Sequence, residues 1–390
     1  MGVRRSSTTA SRARPLATPE TPLKGVGPAF VAPYSPSWLD RLTQAIDRAP
    51  GPAWLAFLAL GATGAILQIG VQQLTGDYRL GPFLPLHIWM TGNFAYLLAM
   101  IFYLDRSAST AIDAFRPVLQ TSPSEGSAGR GRTEYAELRY LLTTLPPRAT
   151  AWITVVGGFV LAAVPMLLIR NPAGGPYSLA RTMAAFGLSA APVAFVTALI
   201  QFVLTQAVAA AVVYHTIHQL RLIHHIYVHH TRLDLYRLQP LYAFSVLAAL
   251  TAGGFLLYTY AWFATAPALL DQPASLGLAV FFAGIAVITF AWPLWGIHRR
   301  LVQEKKRLLG ESSARFEATV AQLHRRVDLR RLARMDDLNK TLASLEMEQA
   351  SLRRIPTWPW EPGTLRGVIA TLVLPILIWL IQYLLQRLLG

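Results

Sequence analysis

The sequence predicts an all-α protein: a polytopic bundle of seven transmembrane helices, N-terminus cytoplasmic and C-terminus outside, with long cytoplasmic helical extensions. Three observations predict it. Apolar residues make up 53% of the 390 and charged residues only 14%, against about 25% charged in an ordinary soluble domain. Seven segments lack Asp, Glu, Lys and Arg altogether: about Ala53–Thr75, Phe83–Leu104, Ala151–Ile169, Thr182–Tyr214, Pro240–Ala264, Ser275–Ile297 and Gly367–Leu385. Each reaches the roughly 20 residues that cross a hydrocarbon core. Finally, the segments on the N-terminal side of these spans hold 31 Lys and Arg and those on the other side 4. This positive-inside asymmetry sets the orientation and places the chain in the cell (cytoplasmic) membrane as a multi-pass protein.

The same asymmetry accounts for the net charge of +15. Orientation and attraction to anionic lipid explain the excess, so no nucleic-acid partner is expected. With no cysteine, neither a disulfide framework nor a thiolate metal site can form. The chain has no Gly-rich phosphate loop, no Gly-x-Ser-x-Gly and no paired carboxylate in or near a span. An enzyme is therefore not expected, nor a cofactor. Spans without Asp, Glu, Lys or Arg also argue against proton-coupled transport.

Taken in order, residues 1–36 are rich in Ser, Thr, Pro and Arg, without hydrophobic periodicity, and read as a disordered basic tail. Residues 37–49 follow as an amphipathic helix at the membrane surface, with Trp38, Leu39, Leu42, Ala45 and Ile46 on one face. The bundle occupies 50–297. In the first span Gly61, Gly64 and Ala65 make a small-residue face. Gln68, Gln72 and Gln73 lie beyond it and either line an aqueous cavity or sit at headgroup level. The second span carries His87, Thr91, Asn93 and Tyr96. An amide such as Asn93 must find a partner away from lipid, as glue between helices or as a ligand contact. Gln68, His87, Asn93 and Tyr96 are the ligand-pocket candidates.

The loop after the second span contains a Ser/Gly-rich stretch and then a helical pattern over Glu134–Leu145, and Gly157-Gly158 and Pro165 mark the third span. The fourth segment, Thr182–Tyr214, spans 33 residues, about 50 Å as a helix. No Gly or Pro interrupts Val193–Arg237, so the helix is expected to project into the cytoplasm over about 215–238. On it lie His215, His218, His224, His225, His229 and His230. His215, His218, His225 and His229 share one stripe, and the i, i+4 pair His225 and His229 has the spacing of helical zinc ligands. The stripe reads as a metal site, a pH-sensitive contact surface or a partly solvated face.

Residues 298–354 read as a coiled helical arm of two helices, broken at Gly310 and capped again at Ser312 or Ser313. Phe316, Val320, Leu323 and Val327, then Leu338, Leu342, Leu345 and Leu352, form an interrupted seam. It is expected to pack on the fourth-span projection or a neighbouring subunit. The turn Ile355-Pro-Thr-Trp-Pro-Trp-Glu-Pro-Gly at the inner interface leads into the seventh span, within 355–390.

In that span five hydrophobics, Leu377–Ile381, precede Gln382-Tyr383. The layout and this spacing resemble the insect odorant and gustatory receptor family, whose last helix carries Thr-Tyr, five hydrophobics, then Gln-Phe. Here Pro375-Ile376 replaces the Thr-Tyr half. The resemblance implies a tetrameric, ligand-gated cation channel, with the last helices lining a central pore and a ligand pocket in the outer half of the bundle. It makes Gln382 and Tyr383 pore-lining candidates, though Gln382 also suits the outer interface. A non-catalytic scaffold or signalling sensor, holding a cytoplasmic protein partner through residues 299–353, is the alternative, and a small-molecule permease the third. The expected partners are the lipid bilayer and further copies of the chain.

Overall fold

A computed structural model of the chain describes residues 30–76, 85–119, 127–169, 192–265, 273–330, 333, 335–373 and 377. Among these the protein is all-helical, its only extended pairing an isolated bridge between Leu119 and Thr231. Five stretches are long and apolar enough to cross a membrane: Ala53–Leu74, Thr133–Ala163, Val193–His229, Gln239–Thr265 and Ala279–Asp328. Large apolar side chains stand exposed on their outer faces, among them Leu58, Ile66, Phe159, Val280 and Ile288. Such a surface is the reverse of what water selects.

Helix α1, Trp38–Arg48, begins with a capping box: the Asp40 amide donates to Ser37 Oγ (3.3 Å), and Asp40 Oδ2 accepts from the Ser37 amide (2.7 Å). Its docking differs from a helix lying on a surface by its apolar face. Leu39 is buried, but so are Asp40 and Thr43, while Trp38 and Ala45 are exposed. The Asp40 carboxylate also accepts from the Leu145 amide (3.1 Å), and this bond turns a polar edge inward. The last part of the expected tail is docked too. Tyr34 OH donates to the Thr144 carbonyl (2.7 Å), and Tyr140 OH to the Tyr34 carbonyl (2.5 Å). Residues 1–29 lie outside the described residues.

Gly51, at φ 108°, makes the turn into α2, Ala53–Leu74. Helix α3, Pro85–Phe115, packs on α2 and on two later helices. Its buried face continues past the expected span end through Leu98, Ile101, Leu104, Ala108, Ile112 and Phe115. Helices α4 (Ser127–Thr143), α5 (Pro147–Trp152) and α6 (Gly158–Ile169) follow, a π-helical turn at Ile153–Gly157 joining the last two.

Helix α7, Pro192–His229, is 38 residues long, about 57 Å. It ends nine residues short of the expected 238. The His230 amide and Thr231 Oγ1 both turn back to the Ile226 carbonyl (2.9 Å each), and the Arg232 amide donates to the Val118 carbonyl (2.9 Å). A local turn at Thr231 and a tertiary partner at Val118 thus meet where the helix stops, though no Gly or Pro marks the place. Helix α8, Ala243–Thr265, returns, and Phe115, Tyr227 and Phe244 pack ring to ring at 5.0–5.7 Å.

Helix α9, Pro273–Asp328, runs unbroken for 56 residues through Pro293 and Gly310, about 84 Å. The expected break at Gly310 does not occur. An interior Gly costs a helix only about 1 kcal/mol, which neighbouring turns absorb. The reversal comes at Arg330, at φ 51°, and α10, Met335–Arg354, folds back along α9. Arg326 reaches the Ala333 carbonyl, Ser312 Oγ meets Glu348 Oε2 (3.4 Å), and Lys305 Nζ donates to the Arg353 and Ile355 carbonyls (2.8 and 2.7 Å). The arm is an antiparallel hairpin. Its own return helix packs along it, burying Leu338 and Leu352, while Phe316, Val320 and Leu323 stay half-buried and Val327 exposed, and the fourth-span helix meets the start of the arm at Arg300. Helix α11, 362–373, lies against α8, where Tyr260 OH points at the Thr371 and Leu372 carbonyls (3.1 and 3.3 Å).

Candidate functional site

Three groups of residues carry polar or aromatic chemistry. In the first, α3 faces α8. Asn93 Nδ2 donates to Tyr258 OH (3.2 Å), and Tyr96 OH donates to the Gly254 carbonyl (2.7 Å). Asn93 Oδ1 is buried without a hydrogen-bond partner, an arrangement native interiors largely avoid. Beside this seam, α2 and α3 leave a cleft of about 470 Å³ lined by Trp54, Gly61, Ala65, Thr91, Ala95 and Tyr96 among others. Of the four ligand-pocket candidates, Tyr96 lines the cleft, and Asn93 and Gln68 are buried without lining it. His87 lies in the first turn of α3, its side chain outside the described residues.

The second group is the histidine stripe, which tertiary packing divides. His215 is 2% exposed, and its Nε2 meets Asp105 Oδ1 at 2.7 Å. His218 Nε2 donates to the Leu141 carbonyl (3.1 Å). Further along, the His225 ring lies 4.6 Å from His229 and 5.3 Å from His230, and His230 Nδ1 meets Glu134 Oε1 at 2.9 Å. Among the described residues no group of three or more His, Cys, Asp or Glu is placed to hold a metal ion. Helices α3 and α4 both pack on α7, and each engaged imidazole takes a different partner from them.

Asp105 and Asp40 are the residues that sequence reading missed. Asp105 follows the last apolar residue of a span and precedes Arg106, so it resembles the first residue of a loop. The spacing Leu98, Ile101, Asp105, Ala108, Ile112, Phe115 alternates three and four, which puts it on the buried face of one continuous helix. Burial raises the Asp40 carboxyl above the usual carboxylate range, outweighing the bonds from Ser37 and Leu145 that lower it.

The third group leads into α11. Trp358 and Trp360 stack at 4.4 Å, Trp358 stacks on His298 at 3.9 Å, and Trp360 packs on Phe290 at 5.4 Å. His298 Nδ1 meets the Thr357 carbonyl (3.1 Å). The turn is thereby fastened to α9. Gln382 and Tyr383 lie outside the described residues. Comparison with protein-family models, curated proteins and solved structures returns no match for this chain.

Proposed function

We propose that the chain is one subunit of a receptor-like, ligand-gated cation channel in the cytoplasmic membrane, with seven spans, a cytoplasmic N-terminus and a pore lined by the last helix. The observation that carries this reading is the mechanical linkage of that helix. Helix α11 is coupled through the Trp358/Trp360 stack to α9, through Lys305 to the end of α10, and through Tyr260 to α8. Motion in the bundle or hairpin therefore reaches the helix that would gate. Exposed Ile369, Val373 and Leu377, four residues apart, leave it an apolar stripe for copies of itself or for lipid.

Membrane placement draws further support from tryptophan. Trp38, Trp54, Trp152, Trp292 and Trp295 are all exposed and, in the seven-span topology, share the end of the bundle that holds the Lys and Arg excess, as an interfacial belt would. The buried Asn93–Tyr258 seam and the adjoining cleft are where a small apolar ligand would act. The scaffold reading, with a cytoplasmic partner held through 299–353, stays the alternative, since Val327 and Met347 leave apolar surface exposed on the arm.

Native mass of the purified protein in nanodiscs tests the assembly. A closed tetramer is expected, followed by cation current in planar bilayers that Gln382→Leu alters in conductance or selectivity. A monomer, or a tetramer that never conducts, overturns the reading.

A further inference from the structure

Near the hairpin end of the bundle, a buried imidazole meets a carboxylate that keeps only a narrow edge, 17% of its side chain, exposed. Asp105 comes from α3 and His215 from α7, and Nε2 and Oδ1 stand 2.7 Å apart. With Nε2–H directed at Asp105, the proton that makes the ring cationic sits on Nδ1. That atom is buried with no hydrogen-bond partner, as is Gln219 Oε1 one helical turn on. An imidazolium here has Asp105 as its close counter-charge. The other titratable groups around the pair are Asp40 from α1, His218 and Tyr214 from α7, Tyr140 from α4, and Tyr34 from the segment before α1. Arg106 and Arg221 are exposed.

A buried pair of this kind is stable only while it is net neutral. Removing the Nδ1 proton to solvent leaves the Asp105 carboxylate inside without a cation. Adding a proton to Asp105 leaves imidazolium without an anion. Either step charges the junction at which α3 and α7 meet, with α1 held alongside through the Asp40–Leu145 bond.

We propose that Asp105 and His215 form a proton-binding site that controls the docking of α3 on α7, so that the bundle responds to pH on the side of the hairpin. The orientation proposed above makes that the cytoplasmic side. The site itself does not depend on whether the chain conducts.

Thermal unfolding in one detergent between about pH 5 and 8.5 tests it, on wild type, Asp105→Asn, His215→Gln and the double variant. With Asn at 105, His215 is buried without an anion, the unfolded chain takes up its proton more readily, and Tm falls toward low pH. With Gln at 215, Asp105 is buried without a cation, the folded state holds its proton more tightly, and Tm falls toward high pH. Opposite slopes are expected, each of about 2 to 5 °C across the range, and the double variant changes least. Four parallel curves overturn the proposal, because a merely structural role shifts Tm equally at every pH. Should either single variant fail to fold, a double variant whose curve parallels wild type overturns it equally.

Discussion

Gly158→Ala is a one-carbon change whose cost can be worked out from the contact between α6 and α7. A Cβ at Gly158 lands 2.6 Å from Ala207 Cα and 3.0 Å from both the Cβ and the backbone nitrogen of Ala207. Carbon atoms pack at about 3.5–4.0 Å, so the two helices must part by roughly 1 Å. The obstacle is backbone and cannot rotate aside. At the preceding position a Cβ on Gly157 meets Ala210 Cβ at 3.0 Å, which closes off a compensating roll of α6. Overpacking of this kind costs about 1–3 kcal/mol, while Ala instead of Gly returns about 0.8–1.0 kcal/mol of helix propensity. The clash wins by up to about 2 kcal/mol, and with about 2.1 cal/mol/K of unfolding entropy per residue over 390 residues the expected Tm loss is up to about 3 °C. Gly253→Ala in α8 is the internal control: a Cβ there meets nothing within 4 Å, so only the propensity gain remains and Tm rises slightly. Paired unfolding scans in one detergent at fixed pH read the difference. Equal Tm values would refute close α6–α7 contact as the reason for the glycine.

Two further substitutions probe the hairpin end. Asp40→Ala leaves the Leu145 amide without its acceptor and is expected to cost about 1–3 kcal/mol, read as a lower Tm. Asp40→Asn keeps an accepting oxygen and behaves differently with pH. Burial raises the folded pKa of Asp40, so its contribution is complete below the unfolded value of about 3.9 and is lost as pH rises through the folded one. The Asn variant therefore gains on wild type as pH rises above about 4, and an unchanged difference would contradict the burial. Arg300 donates to the Tyr227, Val228 and Thr231 carbonyls (2.6, 3.0 and 3.3 Å) at the C-terminal end of α7. Arg300→Lys keeps the charge but not the planar fork. Hydrogen exchange at the last turn of α7 is expected to quicken about tenfold, the effect of losing about 1.4 kcal/mol of protection; unchanged exchange would mean that charge alone caps the helix.

Much of the helical layout was legible because apolar run length and capping are local. Five of the expected apolar segments reappear within membrane-length helices among the described residues, and Ser37 caps α1 through Asp40 three residues on. The arm was legible as two helices but not in its partner. Its seam has the same spacing whether it meets another subunit or its own return helix, and the structure shows that α10 packs along α9. The site was least legible. His215, His218, His225 and His229 do share a helix face, yet helical phase says nothing of what packs against it.

Composition and run length by themselves determined that this is a helical chain with segments long and apolar enough to cross a membrane, because those signals lie within single segments and need no partner. Tertiary structure alone decided that Asp105 meets His215, that Arg232 meets Val118 just past the end of α7, and that α10 closes on α9. Each joins residues at least 20 positions apart, or reverses the chain where no Gly or Pro stands. Such contacts arise from the docking of whole helices, and neither partner carries a local mark of the other.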